Sequence, residues 1–466
     1  MILAGHRDRR RAGALLACLC LVLASACDLS WPQPARAADG HAPASPRRAG
    51  SSRTATPPHP AGSRRTANPR QTAGSRYPAG ATRPVIIARA SEFARSSSAS
   101  SKGSKGKKKH KKKVVLSGNP LRALLAYEAM QRAYYIPGSG LYDGEPFSFL
   151  WPFSQALAAT VSVEVVPHVG ASFVKPLHEL LVGLGDYLDT NNSGSPEGTY
   201  TSTLPAFDGT IAPPAGPGGA KYYDDNDWVA LQLVRLARIT HSAALLGTAE
   251  GIMAFEMQAW QESPELGCPG GIPFSNSAEN EERNTVTTAP TAELAVLLYE
   301  LTHNAEYLRF AERAYAWVRN CLLQPGELYA DHVNRKGTVE GSLWSYNQGS
   351  MIGAGTLLYQ ATRNAAYLYE ARQTAKGALA YYSLERLLSE NPFFVAVFLR
   401  NLLYLDSVTH DPPGAIAQTY ANYAWAHLRL TDDIFVFGSP PSSQLLDQAA
   451  IVQVFALLST SPSTYF

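Results

Sequence analysis

The sequence predicts an all-α fold, an (α/α)6 barrel of about twelve helices, preceded by a disordered N-terminal segment. Apolar residues recur at helical spacing in about twelve stretches after residue 117 of the 466-residue chain, with little period-2 alternation. Short and long gaps alternate between these stretches, as expected for helices that run up and down in hairpin pairs. Six such hairpins can close into a ring. An open solenoid of helix pairs is the alternative, but the sequence lacks a tight repeat period.

Residues 1–37 have the pattern of a signal peptide. Three arginines, Arg9 to Arg11, precede an apolar run too short for a comfortable membrane span, and Ala35-Arg36-Ala37 provides an A-x-A cleavage site. In a second interpretation, the sequence that ends at Cys27 is a lipobox. Cleavage there would leave Cys27 as the lipid-modified first residue. Both interpretations predict export, so we expect a secreted or cell-envelope-associated protein.

Residues 38–116 form a basic linker rich in Pro, Ser, Ala, Gly and Arg, which ends in the run Lys102 to Lys113. With few large apolar side chains it cannot offset its ordering entropy, so we expect it to be disordered. The run is either a solvated tether or an electrostatic attachment to an anionic envelope polymer or lipid surface.

Charge divides the chain in two. Residues 1–116 contain 23 Lys and Arg against 4 Asp and Glu, whereas residues 117–466 contain 18 against 34. Because phosphate contacts need clustered basic side chains, the acidic body argues against nucleic acid as a partner.

The folded domain, residues 117–466, contains two cysteines, Cys268 and Cys321, which can form one disulfide or remain two free buried thiols. Its first helix is predicted to begin with Asn119 as N-cap and Pro120 at the first helical position. Helices are predicted over 119–134, 149–166, 171–189, 225–241, 243–261, 289–303, 305–323, 346–362, 364–387, 392–408, 413–430 and 443–459.

The tight gaps, such as those at Ser242, Asn304 and Arg363, lie at one end of the predicted hairpins. The long gaps at the other end hold clusters of Gly, Pro, Trp, Tyr and Asp. We therefore expect the functional site on the long-loop face, in a concavity at the barrel mouth.

The sharpest feature of that face is the segment Lys221 to Trp228, in which Asp224 and Asp225 are adjacent. Glycoside hydrolysis needs two carboxyl groups beside one bond, and neighbouring side chains more easily meet the shorter separation of retaining enzymes. Their repulsion would raise one pKa towards an acid role. The alternative is helix capping, for which Asp is favoured. Flanking aromatic side chains, which suit the apolar faces of sugars, add weight to the catalytic interpretation, but the residues alone leave both interpretations open.

Other clusters of aromatic and amide side chains at predicted helix starts could line a sugar groove. Taken alone, each such cluster more often caps a helix or packs in the core. Asp331-His332 could indicate a metal ligand, but no companion set has metal spacing, so neither a metal nor an organic cofactor is expected. The predicted substrate-binding residues are Tyr223, Asn226, Asp227, Trp228, Trp151, Gln155, Phe274, Asn284, Trp344, Tyr346, Asn347 and Gln348.

Nearly all of residues 119–460 resembles glycoside hydrolase family 76, the α-1,6-mannanases. The resemblance rests, in order, on Tyr223-Asp224-Asp225-Asn226-Asp227-Trp228, on Gly270-Gly271-Ile272-Pro273-Phe274 with Arg283-Asn284-Thr285, and on Trp344-Ser345-Tyr346-Asn347-Gln348-Gly349.

The resemblance implies an (α/α)6 barrel that cleaves α-1,6-linked mannan with retention, with Asp224 as nucleophile and Asp225 as general acid/base. Many members would have Trp where this chain has Phe274, which bears on subsite preference. We therefore expect a monomeric, exported endo-α-1,6-mannosidase acting on mannan poly- or oligosaccharide. A cell-surface mannan transglycosylase and a non-catalytic mannan-binding wall protein are the alternatives.

Overall fold

Thirteen α-helices make up most of the described chain. The computed structural model describes residues 115–144, 146–169, 174–190, 204–410, 415–438 and 443–466, so the predicted signal peptide and nearly all of the predicted linker lie outside the described residues. The helices are α1 (Gly118–Tyr134), α2 (Leu150–Glu164), α3 (Val174–Leu184), α4 (Tyr223–Thr240), α5 (Ala243–Gln258), α6 (Thr285–Thr302), α7 (Ala305–Leu322), α8 (Ser345–Thr362), α9 (Ala365–Tyr381), α10 (Leu384–Ser389), α11 (Pro392–Thr409), α12 (Ala415–Tyr423) and α13 (Leu445–Leu457).

Six of these helices form a closed inner ring. Helices α2, α4, α6, α8, α11 and α13 each contact the next, and α13 returns to contact α2. Most side chains of the ring helices are buried, whereas α1, α5, α7 and α9 bury one face and expose the other. The predicted (α/α)6 barrel is therefore confirmed, and the open solenoid is excluded by the contact between α13 and α2.

The tight turns at the closed end of the barrel share one form. His241, His303 and Arg363 adopt left-handed φ angles of 57°, 59° and 63° directly after α4, α6 and α8. The next residue caps the following outer helix: the side chains of Asn304 and Asn364 accept hydrogen bonds from backbone N–H groups. This pairing of a left-handed residue with an N-cap reverses the chain within two residues.

The opposite end carries the long loops, which contain short antiparallel strands. These are β1 (Tyr135–Ile136), β2 (Leu141–Tyr142), β3 (Leu188–Asp189), β4 (Ala206–Phe207), β5 (Glu282–Asn284), β6 (Leu323–Gln324), β7 (Leu328–Tyr329), β8 (His332–Asn334) and β9 (Val339–Glu340). Strands β1 and β2, β3 and β4, and β6 and β7 pair in twos, and β5, β8 and β9 form a three-stranded sheet. The register of that sheet places Asn284 opposite His332.

Three predicted boundaries are corrected. The predicted helix 364–387 is two helices, because Ser383 starts α10 by accepting a hydrogen bond from Arg386 N. Helix α1 begins at Gly118 with Ser117 as N-cap, so Asn119 lies inside it and its side chain donates to Gln418. Helix α6 begins at Thr285, one turn before the predicted start.

Cys268 and Cys321 are joined by a disulfide, with their Cα atoms 6.1 Å apart. Cys268 belongs to the loop between α5 and β5, and Cys321 lies in the last turn of α7. The carbonyl oxygen of Cys268 also accepts hydrogen bonds from Arg283 and Trp317. The disulfide thus fixes a mouth loop to an outer helix.

We predict that replacing both cysteines by serine destabilises the barrel by about 2–4 kcal/mol, because the disulfide closes a loop with a sequence separation of 53 and so restricts the unfolded chain. Urea unfolding of the wild type with and without reductant, beside the double variant, measures this. Equal midpoints in all three samples would show that the disulfide does not stabilise the fold.

Several carboxyl groups are buried. Burial raises the pKa of Glu293, Glu390 and Asp447 to about 7 each. Each value lies above that of the unfolded chain, so between about pH 4 and 7 the folded protein retains protons that the unfolded chain releases. The free energy of unfolding therefore falls as pH rises through this window.

We accordingly predict a higher Tm at pH 5 than at pH 8 at constant ionic strength. In Glu390→Gln the difference should shrink, because the amide oxygen can still accept the hydrogen bond from Ser345 N but no longer titrates. Calorimetry at both pH values tests this. A Tm that rises towards pH 8 would contradict the expected proton retention.

Candidate active site

Asp224 and Asp225 lie in the first turn of α4, at the mouth end of the inner ring. The N-cap is Tyr222, whose side chain makes no capping hydrogen bond, so neither aspartate is the N-cap. Each aspartate is 2% exposed. Two acids at this depth are not explained by N-capping, whereas the helix N-terminus stabilises an anion placed there.

A strand-like pairing fixes this turn. Tyr223 N donates to Phe274 O at 3.1 Å, and Asn276 N donates to Lys221 O at 3.0 Å. The Asn276 side chain accepts from Lys221 N at 2.9 Å. The Gly270-to-Phe274 motif therefore positions the aspartates.

Lys221 has no exposed surface and pairs with two acids. Its Nζ lies 2.9 Å from Asp189 Oδ2 and 3.1 Å from Asp208 Oδ1. Burial raises the pKa of Asp208 to about 6, although the charge of Lys221 opposes that shift. The sequence analysis missed this anchor, because its members are spread over three loop segments with no shared motif.

Asp225 lines an open cleft of about 120 Å³ between the start of α2 and the loop before α4. Trp151 and Tyr222 form aromatic walls of this cleft. Asp224 does not line this cleft, and its charge acts on Glu282 of β5 and on Tyr346 of α8. Because successive residues of a helix are turned by about 100°, the two side chains leave the same turn in different directions. The remaining cleft residues are Phe149, Pro152, Gly209, Thr210, Gly219 and Ala220.

An aromatic cluster extends from the cleft across the mouth. Phe394 stacks on Tyr346, with ring centroids 3.9 Å apart, and on Trp151 at 6.3 Å. Trp344 packs against the same ring at 5.7 Å. Phe393 contacts Trp151 and Trp228 edge-on. The sequence analysis missed both phenylalanines, although the segment starting at Asn391 opens an inner helix as the other clusters do.

Two predicted sugar-binding amides are corrected to structural roles. The Asn226 side chain accepts from Phe207 N and donates to the carbonyl oxygens of Phe207 and Tyr222. The Gln348 side chain makes the equivalent bonds to Tyr329 N, Tyr329 O and Trp344 O. With oxygen and nitrogen committed to backbone partners, these amides hold loops onto helix starts.

The other predicted binding residues divide by location. Asp227, Trp228 and Gln155 are buried: Asp227 contacts Thr291 on α6, Gln155 contacts Gln453 on α13, and Trp228 packs against Phe393. Around the mouth, Tyr223 stacks on Phe255 and Phe274 packs against Tyr222. Asn284 is the N-cap of α6, and the Asn347 amide lies 3.5 Å from Asp331 Oδ1.

The structure gives Asp331-His332 companions that the spacing did not reveal. His332 Nδ1 lies 3.0 Å from Asp331 Oδ2, and its Nε2 lies 3.2 Å from Glu282 Oε2. Glu340 joins the group within 4.8 Å. Burial alone would lower the pKa of His332, but the Asp331 hydrogen bond and the Glu282 charge raise it overall. Both ring nitrogens face carboxylates, which favours an imidazolium ion pair over a metal ligand.

The glycine pair and Arg283 are structural. A Cβ on Gly270 or Gly271 would lie 2.5 Å from the Trp317 ring, and their φ angles are 113° and 83°. Arg283 donates to four backbone carbonyl oxygens, those of Cys268, Gly270, Gly267 and Asn334. These residues shape the loop that pairs with the start of α4.

Solved structures of other proteins contain a similar barrel. A family 76 glycoside hydrolase from a bovine Bacteroides thetaiotaomicron strain is 22% identical, with a TM-score of 0.63 over 74% of this chain and 78% of that one. An inactive variant of the α-1,6-mannanase GH76A of Salegentibacter sp. HEL1_6, in which two consecutive aspartates are asparagines, was solved with α-1,6-mannotriose. It is 18% identical, with a TM-score of 0.60 over 73% and 99% of the two chains.

Dfg5 from Chaetomium thermophilum, solved with glucosamine, is 13% identical, with a TM-score of 0.54 over 74% of this chain and 91% of that one. No curated protein matches the chain in sequence. Residues 199–400, which include the adjacent aspartates, the glycine pair and the start of α8, match the family described as glycosyl hydrolase family 76. Over residues 199–400 the chain is therefore similar to glycosyl hydrolase family 76.

Proposed function

We propose that this protein is an exported, endo-acting α-1,6-mannosidase that cleaves mannan with retention of anomeric configuration. The observation that carries the proposal is the pair Asp224 and Asp225, which leaves one helical turn in two directions at the barrel mouth beside an aromatic-walled cleft. Two carboxyl groups on either side of one bond are the minimum apparatus for glycoside hydrolysis.

In this mechanism Asp224 attacks the anomeric carbon and Asp225 protonates the leaving oxygen. Asp225 then removes a proton from the incoming water, which releases the sugar from Asp224. Asp225 suits the proton-transfer role because it lines the open cleft, where leaving group and water enter. Asp224 is assigned the nucleophilic role because it lies in the same first turn of α4 but does not line the cleft through which leaving group and water pass.

Mannan is proposed as the substrate from two features. Trp151 and Tyr222 line the cleft, and aromatic rings can pack on the apolar faces of sugars. The Salegentibacter relative whose consecutive aspartates were replaced was solved with α-1,6-mannotriose. Phe274, buried against Tyr222 at the mouth, is proposed to influence subsite preference.

Export by the 1–37 signal peptide and attachment through the basic linker 38–116 are part of the proposal. The sequence pattern alone supports them, as it supports a folded domain at 117–466. A monomeric state is proposed with them. Lipid anchoring at Cys27 is the second route to the envelope. The disulfide between Cys268 and Cys321 suits an oxidising compartment outside the cytoplasm.

Transfer to a second sugar is the alternative outcome at the same site; Dfg5, which shares the fold, was solved with glucosamine. In transfer, a sugar hydroxyl replaces water and Asp225 removes its proton. A mannan-binding protein without turnover is the third possibility, against which the retention of two buried, mutually repelling acids argues.

We predict that Asp224→Asn and Asp225→Asn each lower kcat on linear α-1,6-mannan by at least a factor of about 10³, since each removes one of two essential groups. The exposed Glu265→Gln is the matched charge-neutralising control and should retain activity. Circular dichroism checks folding. Near-normal turnover in either asparagine variant would remove that residue from the mechanism.

We further predict that the first reducing ends released from α-1,6-mannan have the α configuration, because two displacements at one carbon restore the starting stereochemistry. Proton NMR during the first minutes, before mutarotation, measures this. Initial β product would contradict retention. Adding mannose oligosaccharides as acceptors separates the alternatives: longer products indicate transfer, and binding without any product indicates a non-catalytic protein.

A further inference from the structure

Asp224 has two buried acids beside it that the proposed mechanism does not use. Asp227 follows Asp224 by three residues on α4, so the two lie on neighbouring positions of one helix face. Glu256 approaches from α5. Both Asp227 and Glu256 have 0% exposure, and neither lines the cleft.

The hydroxyl of Thr291 on α6 indicates where one proton lies. Thr291 Oγ1 is 2.6 Å from the carbonyl oxygen of Thr287 and 2.9 Å from Asp227 Oδ2. A hydroxyl has one proton, and a carbonyl oxygen can only accept. If Thr291 donates across its shorter contact, to Thr287, then the contact with Asp227 is a hydrogen bond only when Asp227 carries a proton and donates it.

The surrounding charges favour the same state. The charges of Asp224 on α4 and Glu293 on α6 act on Asp227, whose charge in turn acts on Glu256 of α5, and Arg400 on α11 lies 2.9 Å from Glu293. In the described part of the chain, no Lys or Arg forms an ion pair with Asp227 or Glu256. Burial, then the negative neighbours, raise the pKa of both acids well above ordinary values. Anions at Asp224, Asp227 and Glu256 together would repel strongly in this dry space.

We propose that Asp227 and Glu256 are a pair of neutral acids that positions Asp224 and leaves it as the one anion of this three-acid cluster. The proposal rests on the proposed function for the role of Asp224. Asp227 and Glu256 are positioning residues. Donation from Asp227 to Thr291 ties the first turn of α4 to α6, and the neutral state of the pair adds no further negative charge beside Asp224.

Infrared spectroscopy tests the protonation directly. At about pH 8.5 the acids with a pKa of about 7 have largely ionised. The carboxylic-acid C=O band that remains should come from the acid pair, and Asp227→Asn and Glu256→Gln should each reduce it. The exposed Glu265→Gln is the control and should leave the band unchanged. A wild-type spectrum without the band, or one that neither variant changes, would overturn the proposal.

Turnover on α-1,6-mannan tests the positioning role. Asparagine at 227 and glutamine at 256 resemble neutral acids, so Asp227→Asn and Glu256→Gln should retain most of kcat, whereas Asp227→Ala should lower kcat at least about tenfold with little change in KM. Asp227→Asn keeps the test valid if the alanine variant does not fold. Loss of kcat in folded Asp227→Asn as severe as in Asp224→Asn would show that Asp227 acts as an anion, against the proposal.

The two readouts separate this proposal from the proposed function. If the wild type does not cleave or transfer mannan, the proposed function fails, and the infrared band still decides whether the pair is neutral. If the wild type is active but the band is absent, the acid-pair proposal alone fails.

Discussion

The closure of six inner helices into one ring is the constraint on which the rest of the structure depends. Once α13 contacts α2, every inner helix must start at the same end and finish at the other. The tight turns then occupy one end, and the long loops converge on the other. Residues far apart in the chain, such as Asp225 on α4 and Phe394 on α11, meet at a mouth that no single segment could build.

The loops at the mouth are held in place by side chains that form hydrogen bonds to backbone groups. Asn226, Gln348 and Gln448 each lie in the first turn of an inner helix and bond to the backbone of a neighbouring loop. Their repetition on α4, α8 and α13 indicates one structural device used three times around the ring. Buried loop backbone needs such partners, because an unpaired buried peptide group costs about as much as a lost hydrogen bond.

The sequence predicts the fold better than the details of the site. Helical periodicity and alternating gap lengths are local signals, so the ring and its functional face could be predicted. The roles of Asn226 and Gln348 could not, because an amide in a first turn looks the same whether it faces a sugar or a loop. The salt bridges of Lys221 and the Glu282–His332–Asp331 group were hidden for another reason. Their members meet only after distant loops pack together.

Three aspartates within four residues of α4 show how a helix places chemically identical groups in different surroundings. Successive residues are turned by about 100°, so Asp225 points away from the face that Asp224 and Asp227 share. Asp225 reaches the cleft. Asp224 and Asp227 lie on the other side of the helix, where Asp227 meets Thr291 and Glu256. Solvent access, neighbouring charge and one threonine hydroxyl then distinguish the three carboxyl groups. The strand-like pairing of Lys221 and Tyr223 with the loop at Phe274 fixes where that helix starts. A shift of one residue in this start would rotate all three acids out of place, so the loop pairing controls the chemistry although it touches none of the reacting groups.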